Sequence, residues 1–97
     1  MSEFMVSITL PLYFDEEFVT LVPKQRMMVD NLMAENVVRA YTLSLDRTKL
    51  WIIIEANSEE EVVKTLKTFP LIDWMNYQID GLAFHMQNFP VPAMSLN

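Results

Sequence analysis

WIIIEANSEEEVVKTLKTFP, residues 51–70, changes from a strand pattern to a helix pattern over a short distance. Its first residues, Trp51 to Ile54, are aromatic or β-branched, as is typical of strands. Ser58 followed three positions later by Glu61 is a capping-box signature, which predicts a helix that begins just after Ser58. The apolar residues that follow recur at helical spacing and predict the buried stripe of that helix: Val62, Val63, Leu66 and Phe69. Pro70 disfavours the α conformation of the preceding residue, so the helix is predicted to end there.

The residues before this stretch predict a strand, a long helix and a β-hairpin. Phe4, Val6, Ile8 and Leu10 alternate with Met5, Ser7 and Thr9, which is the period of a strand. Apolar residues between Phe18 and Met33 then recur at three- and four-residue steps. Pro23 predicts either that this helix begins near it or that the helix kinks there. Residues 37–44 and 49–56 predict two strands joined by a tight turn at 45–48.

The residues after the stretch complete the fold. Residues 75–83 alternate again and predict a fourth strand, in which Gly81 indicates a bulge or a close approach. The resulting order, βαββαβ, predicts the α+β ferredoxin-like fold, a four-stranded antiparallel sheet with two helices on one face. Residues 1–97 form one domain in this prediction, and residues 88–97 are its extended C-terminal arm, which could cross onto a neighbouring subunit.

Composition excludes several classes of function. A net charge of -6 with 7 Lys and Arg disfavours nucleic acid as a partner. The single glycine is too few for a phosphate-binding loop, and one histidine without cysteine predicts no metal site. We therefore expect a protein without a cofactor. No apolar run approaches the roughly 20 residues of a membrane span, so a cytoplasmic protein that binds no membrane is expected.

The sheet face away from the helices is predicted to meet a second copy of the chain. It is too apolar for open solvent and gathers Met5, Ser7, Thr9, Trp51, Ile53, Glu55, Asn76, Gln78 and Asp80. An odd hairpin loop would add Arg39, Tyr41 and Leu43, whereas an even loop would add Val38, Ala40 and Thr42. The odd loop is preferred because it keeps Arg39 out of the core. The face either encloses a ligand pocket between subunits or serves association alone.

The candidate site residues come from this face and its margin. Glu55 is a candidate general base, and Arg39 could clamp a substrate carboxylate, although the two could instead form a structural ion pair. Tyr41 and Trp51 could line a flat unsaturated ligand or simply pack at an interface. Asp80 and Thr9 could orient a proton donor or a water molecule. His85 is a further candidate for proton transfer because its usual pKa suits that role, although a solvated side chain is the simpler interpretation.

The segment LKTFPLIDWM, residues 66–75, carries more apolar side chains than one small subunit is expected to bury. It is therefore predicted to pack at a subunit boundary or at the mouth of a pocket. On this view Trp74→Ala would change the oligomeric state before it unfolds the subunit.

The motifs WIIIEA, SEEE and LKTFPLIDWMNYQIDGL, between Trp51 and Leu82, resemble those of muconolactone isomerases of the dimeric α/β-barrel superfamily. The resemblance implies pairing of two sheets into a barrel, and it leaves open a larger ring of such dimers. It also implies a cofactor-free isomerase that shifts a proton on a small unsaturated lactone or carboxylate. Two alternatives stay open: a non-catalytic ligand-binding or assembly protein, and a cofactor-free monooxygenase.

Overall fold

A computed structural model describes residues 1–86 and 88 of the chain. The elements are β1 (Ser2–Thr9), α1 (Glu16–Ala34), β2 (Val38–Leu43), β3 (Lys49–Ala56), α2 (Glu59–Leu66) and β4 (Asn76–Gly81). The strands form one antiparallel sheet in the order β2-β3-β1-β4. This is the predicted ferredoxin-like fold. Apart from Asn88, the predicted C-terminal arm lies outside the described residues.

The core lies between the sheet and the two helices because alternate strand residues point toward them. Val6, Ile8, Ile52 and Ile54 are at most 1 % exposed, and Val62 and Leu66 of α2 are fully buried against them. Tyr77 and Ile79 of β4 pack against the same core, whereas Asn76, Gln78 and Asp80 are exposed, as the alternation predicts. In the described part of the chain, no helix is long and apolar enough to cross a membrane.

Helix α1 begins before Pro23 and continues through it. The Asp15 carboxylate accepts a hydrogen bond from the Phe18 amide at 2.8 Å, which caps the helix, and Glu16 and Glu17 place negative charge in its first turn. A helix start near Pro23 is therefore wrong, because the Asp15 cap begins the helix about two turns earlier.

Helix α2 has the predicted cap but ends earlier than predicted. The Ser58 hydroxyl accepts from the Glu61 amide at 3.2 Å, while the Glu61 carboxylate reaches back to the amide and side chain of Asn57. The helix ends at Leu66, and backbone hydrogen bonds from Thr68 to Thr65 and from Phe69 to Leu66 tighten the chain before Pro70 is reached. Pro70 therefore follows the helix end and does not set it.

The pairing of β2 with β3 corrects the predicted register. Leu43 pairs with Leu50, so an even number of residues, 44–49, separates this last pair of the hairpin. Tyr41 consequently lies opposite Ile52, on the face covered by the helices, and the predictions that Tyr41 and Leu43 point to the open face are wrong. A β-bulge between Val38 and Ala40 restores Val38 to the core side, and it leaves Arg39 beside Glu55 on the open face, as predicted.

The segment after α2 is partly buried by its own subunit. Phe69 is 1 %, Leu71 6 % and Met75 9 % exposed, whereas Ile72 is only partly buried, so the subunit covers most but not all of the apolar side chains of this segment. Trp74 is partly buried and meets the ring of Phe18 edge to face, with ring centroids 5.5 Å apart. These contacts join the segment to α1.

Gly81 ends β4 opposite Phe4, and the pairing is regular there, so the alternative of a bulge is wrong. A Cβ atom at Gly81 would lie 3.6 Å from the Phe4 ring, which is an ordinary van der Waals contact, so the structure does not show the predicted close approach either.

Candidate functional site

The structure does not bring all the predicted site residues together. Along the open face, Glu55 lies opposite Glu3, Asp80 opposite Met5 and Trp51 opposite Ser7. Thr9 lies six positions beyond Glu3 on β1, a separation of about 20 Å at roughly 3.3 Å per residue. Tyr41 is on the other face of the sheet. A single small ligand could therefore not contact all of them.

Three of the predicted residues, Arg39, Glu55 and His85, do line one cleft. Arg39 forms an ion pair with Glu55, and the side chains are 41 % and 25 % exposed. The cleft has a volume of about 630 Å³ and is lined by Met1, Glu3, Met33, Asn36, Val38, Arg39, Glu55 and His85. The guanidinium of Arg39 already binds a carboxylate of the protein, as the structural interpretation of the pair expects. Its place at a cleft also leaves the carboxylate clamp open.

A second cleft, of about 530 Å³, lies between α1 and the sheet. Its walls are mostly apolar, with a few polar groups among them, which is the usual composition of a small-molecule site. The apolar lining comes from Leu10, Phe14, Phe18, Val19, Val22, Val29, Met33, Leu43, Leu50, Leu71 and Met75. The polar lining is Gln25, Arg26, Asp30, Tyr41 and Arg47. We call this space the α1 cleft.

Gln25 connects three parts of the subunit at the α1 cleft. It is 4 % exposed, and its Oε1 accepts a hydrogen bond from the Leu71 amide at 3.1 Å. Its Nε2 donates to the Tyr41 hydroxyl oxygen at 3.3 Å. The Leu71 amide can only donate, so it requires the amide oxygen of Gln25 on its side, and the amide nitrogen must then face Tyr41.

Tyr41 is a neutral hydrogen-bond donor under physiological conditions. Burial raises the pKa of its phenol above the ordinary value of 10.0, while the hydrogen bond from Gln25 and the positive charge of Arg26 oppose that rise. The phenol is therefore protonated near pH 7. Because its oxygen accepts from Gln25, its own proton is available to a second acceptor.

Two arginines add positive charge to the α1 cleft. Arg26 projects from α1, and Arg47 is held in the β2–β3 turn by a hydrogen bond from its amide to the Ser44 carbonyl at 3.0 Å. Within residues 1–86 and 88, neither guanidinium takes part in an ion pair. Both can therefore bind a carboxylate of a ligand. Across the same residues, no cluster of three or more His, Cys, Asp or Glu could hold a metal ion.

The sequence contained one signal for this cleft that the predictions did not use. Gln25 interrupts an apolar helix face between Leu21 or Val22 and Val29, and a polar residue in such a position needs a buried partner. The segment 66–75 also lines the cleft, through Leu71 and Met75, so the predicted place at a pocket is confirmed for these two residues.

Known proteins share both the sequence pattern and the fold. The muconolactone delta-isomerase family model matches residues 3–88. A crystal structure of muconolactone isomerase has a TM-score of 0.71 and 24 % sequence identity, covering 92 % of this chain and 96 % of that one. The 5-chloro-2-hydroxyhydroquinone dehydrochlorinase of Burkholderia phenoliruptrix, in complex with 2,5-dihydroxybenzoquinone, has a TM-score of 0.58 and 13 % identity, covering 80 % and 90 % of the two chains. No curated protein sequence matches the chain. With its fold and most of its length matched, this chain belongs to the muconolactone delta-isomerase family.

Proposed function

We propose that the protein is a cofactor-free isomerase that shifts a proton on a small unsaturated lactone bearing a carboxylate, and that the reaction takes place in the α1 cleft. The observation that carries the proposal is the hydrogen bond between the buried Gln25 and the partly buried Tyr41. It places a protonated phenol at an apolar cleft that also contains two guanidinium groups outside any described ion pair. Family membership supports the reaction class, and the substrate is part of the proposal.

Binding follows from the lining. The ring of a lactone is flat and largely apolar, so it suits walls such as Phe18, Val29 and Leu50. Its carboxylate would bind Arg26 or Arg47 through paired N–H donors. This assignment also answers how a protein of net charge -6 could bind an anion, because the positive charge is local to the cleft.

The proton shift needs a base and a stabilised oxyanion. Removal of a proton from the γ-carbon of an α,β-unsaturated lactone sends electrons through the double bond to the carbonyl oxygen, and return of the proton to the α-carbon completes the isomerisation. Tyr41 would donate a hydrogen bond to that oxygen as its charge develops. Asp30 is the carboxylate of the cleft lining and is our candidate for the base.

The first test is an ultraviolet assay of muconolactone isomerisation by wild type and Tyr41→Phe. Loss of one hydrogen-bond donor to a developing oxyanion lowers kcat by about 10²–10³ in other enzymes, and a similar loss is expected here. Tyr77→Phe is the matched control, because Tyr77 is a partly buried tyrosine of β4 that does not line the α1 cleft. Full activity of Tyr41→Phe would contradict the proposed site.

The other cleft is the rival location for the same chemistry. There Glu55 would be the base, His85 would transfer the proton, and Arg39 would clamp the substrate; Asp80, Trp51 and Thr9 would have lesser roles along the open face. Glu55→Gln and Arg39→Ala are expected to keep most of the activity if the α1 cleft is the site. Loss of activity in these variants, with Tyr41→Phe unaffected, would move the reaction to the open face.

The second candidate function is ligand binding without catalysis. The complex of the Burkholderia dehydrochlorinase with 2,5-dihydroxybenzoquinone supports the binding part of this candidate, because that protein shares the fold and holds a flat cyclic ligand. The same compound can serve as a probe of the α1 cleft. Binding that Arg26→Ala weakens, in a protein that does not turn over muconolactone, would support this candidate.

A further inference from the structure

We propose that Gln25 is a positioning residue that sets the direction of the Tyr41 hydrogen bond, so that the phenol donates into the α1 cleft. The inference rests on the proposed function, because it assigns a role to a residue that supports the reacting group. Its basis is the chain of hydrogen bonds from the Leu71 amide through Gln25 to Tyr41.

The direction of this chain is fixed at its first member. A backbone amide can donate and cannot accept, so the Leu71 N–H fixes Oε1 of Gln25 as the acceptor. The Nε2 group then faces Tyr41 and can only donate. The phenol oxygen accepts this bond, and the phenol proton must find its partner elsewhere. Because Tyr41 lines the cleft, a ligand oxygen there is the available acceptor.

Burial makes the arrangement rigid. Gln25 is 4 % exposed, and it joins α1 to β2 and to the segment that follows α2. Water therefore has little access to compete for its amide. A simple structural role would require only that position 25 accept from the Leu71 amide, whereas the positioning role also requires that it donate to Tyr41.

Gln25→Glu separates these two roles. The shape is conserved, and one oxygen of the introduced carboxyl group can still accept from Leu71. In its protonated form that group could also donate to Tyr41, as glutamine does, but in its ionised form it can only accept, so the phenol proton would turn away from the cleft. The charged and titratable groups that share this lining are Arg26, Asp30, Tyr41 and Arg47. They are present in both proteins, so the ratio of variant to wild-type turnover isolates the change at position 25.

The experiment measures muconolactone turnover from pH 5 to pH 9 in wild type, Gln25→Glu and Gln25→Leu. We expect kcat of Gln25→Glu, relative to wild type, to fall at least tenfold as pH rises, with KM nearly unchanged, because the lost bond forms mainly in the transition state. Adding Gln25→Glu to Tyr41→Phe should cause no further loss. Asn31→Asp is the matched control, since it makes the same chemical change at an exposed position of α1 outside the lining.

Unchanged turnover of Gln25→Glu at every pH, together with reduced stability of Gln25→Leu, would overturn the proposal and leave Gln25 a structural contact. A readout without substrate separates this failure from failure of the proposed function. In protein labelled with ¹³C at the tyrosine ζ carbon, Tyr41 of Gln25→Glu should titrate at higher pH than in wild type or Asn31→Asp. That shift supports the proposal even if wild type does not isomerise muconolactone, and its absence counts against it.

Discussion

At the scale of single residues, the Asp46 carboxylate organises the turn between β2 and β3. One of its oxygens accepts from the Thr48 amide at 2.9 Å, the Thr48 hydroxyl at 2.7 Å and the Ser44 hydroxyl at 2.8 Å. The bonds from Thr48, with a smaller contribution from Ser44, lower the pKa of Asp46 below its ordinary value of 3.8. Ionisation of Asp46 therefore stabilises the folded state.

We predict that Asp46→Ala lowers the free energy of unfolding at pH 7 and that this loss shrinks in acid. A carboxyl group with a depressed folded-state pKa contributes stability above about pH 3.8, and the contribution disappears as pH falls through the lower folded value. Urea unfolding of both proteins between pH 2 and pH 7 measures the difference. Asp46→Asn is the control, because an amide oxygen can accept the same bonds without charge. A loss that is equal at all pH values would contradict this account.

At the scale of elements, the C-terminus of α1 depends on the backbone conformation of Asn36. The Asn36 amide donates to the Met33 carbonyl and the Val37 amide to the Leu32 carbonyl, which is the Schellman arrangement. Asn36 takes the left-handed conformation that this arrangement needs, with φ of 62°. Val37 and Leu32 both pack against the core, so the cap also directs the chain into β2.

We predict that Asn36→Gly preserves or slightly raises stability, whereas Asn36→Val lowers it by about 1–2 kcal/mol. The left-handed conformation costs a β-branched side chain about that much, and glycine adopts it without a steric penalty. Equilibrium unfolding in urea of the two variants beside wild type provides the measurement. If valine were as stable as glycine at this position, the cap would not depend on the conformation of residue 36.

The elements could be predicted from the sequence because their signals are local. Alternation marks β1 and β4, and Ser58 with Glu61 marks the start of α2. The facing of β2 could not be predicted in the same way, because a bulge between Val38 and Ala40 interrupts the strand period, so the open-face position of Arg39 does not fix the face of Tyr41. The α1 cleft was missed for the same reason, since the correct facing of Tyr41 brings it to Gln25. The Arg39–Glu55 ion pair could be predicted, because it requires only that two oppositely charged side chains lie on neighbouring strands.

At the scale of the whole molecule, the open sheet face remains the expected site of self-association. Trp51 is 38 % exposed there, between Thr42 and Ser7 on the neighbouring strands. An apolar ring on an otherwise mixed sheet face suits packing against a second sheet. Trp74, in contrast, lies on the helix side, where its ring contacts Phe18 of the same subunit.

We predict that Trp51→Glu converts a wild-type oligomer into smaller species, while Trp74→Ala keeps the oligomer and destabilises the subunit. A twofold axis would bring two copies of the introduced carboxylate into one apolar interface, where neither has a partner. Trp74→Ala would remove a partly buried ring, at a cost of roughly 2 kcal/mol or more, since full burial of such rings gives about 3–5 kcal/mol. Light scattering after size exclusion gives the mass, and urea unfolding gives the stability. An unchanged mass for Trp51→Glu would contradict association through the open face, and a smaller mass for Trp74→Ala at unchanged stability would place the interface on the helix side, next to the α1 cleft.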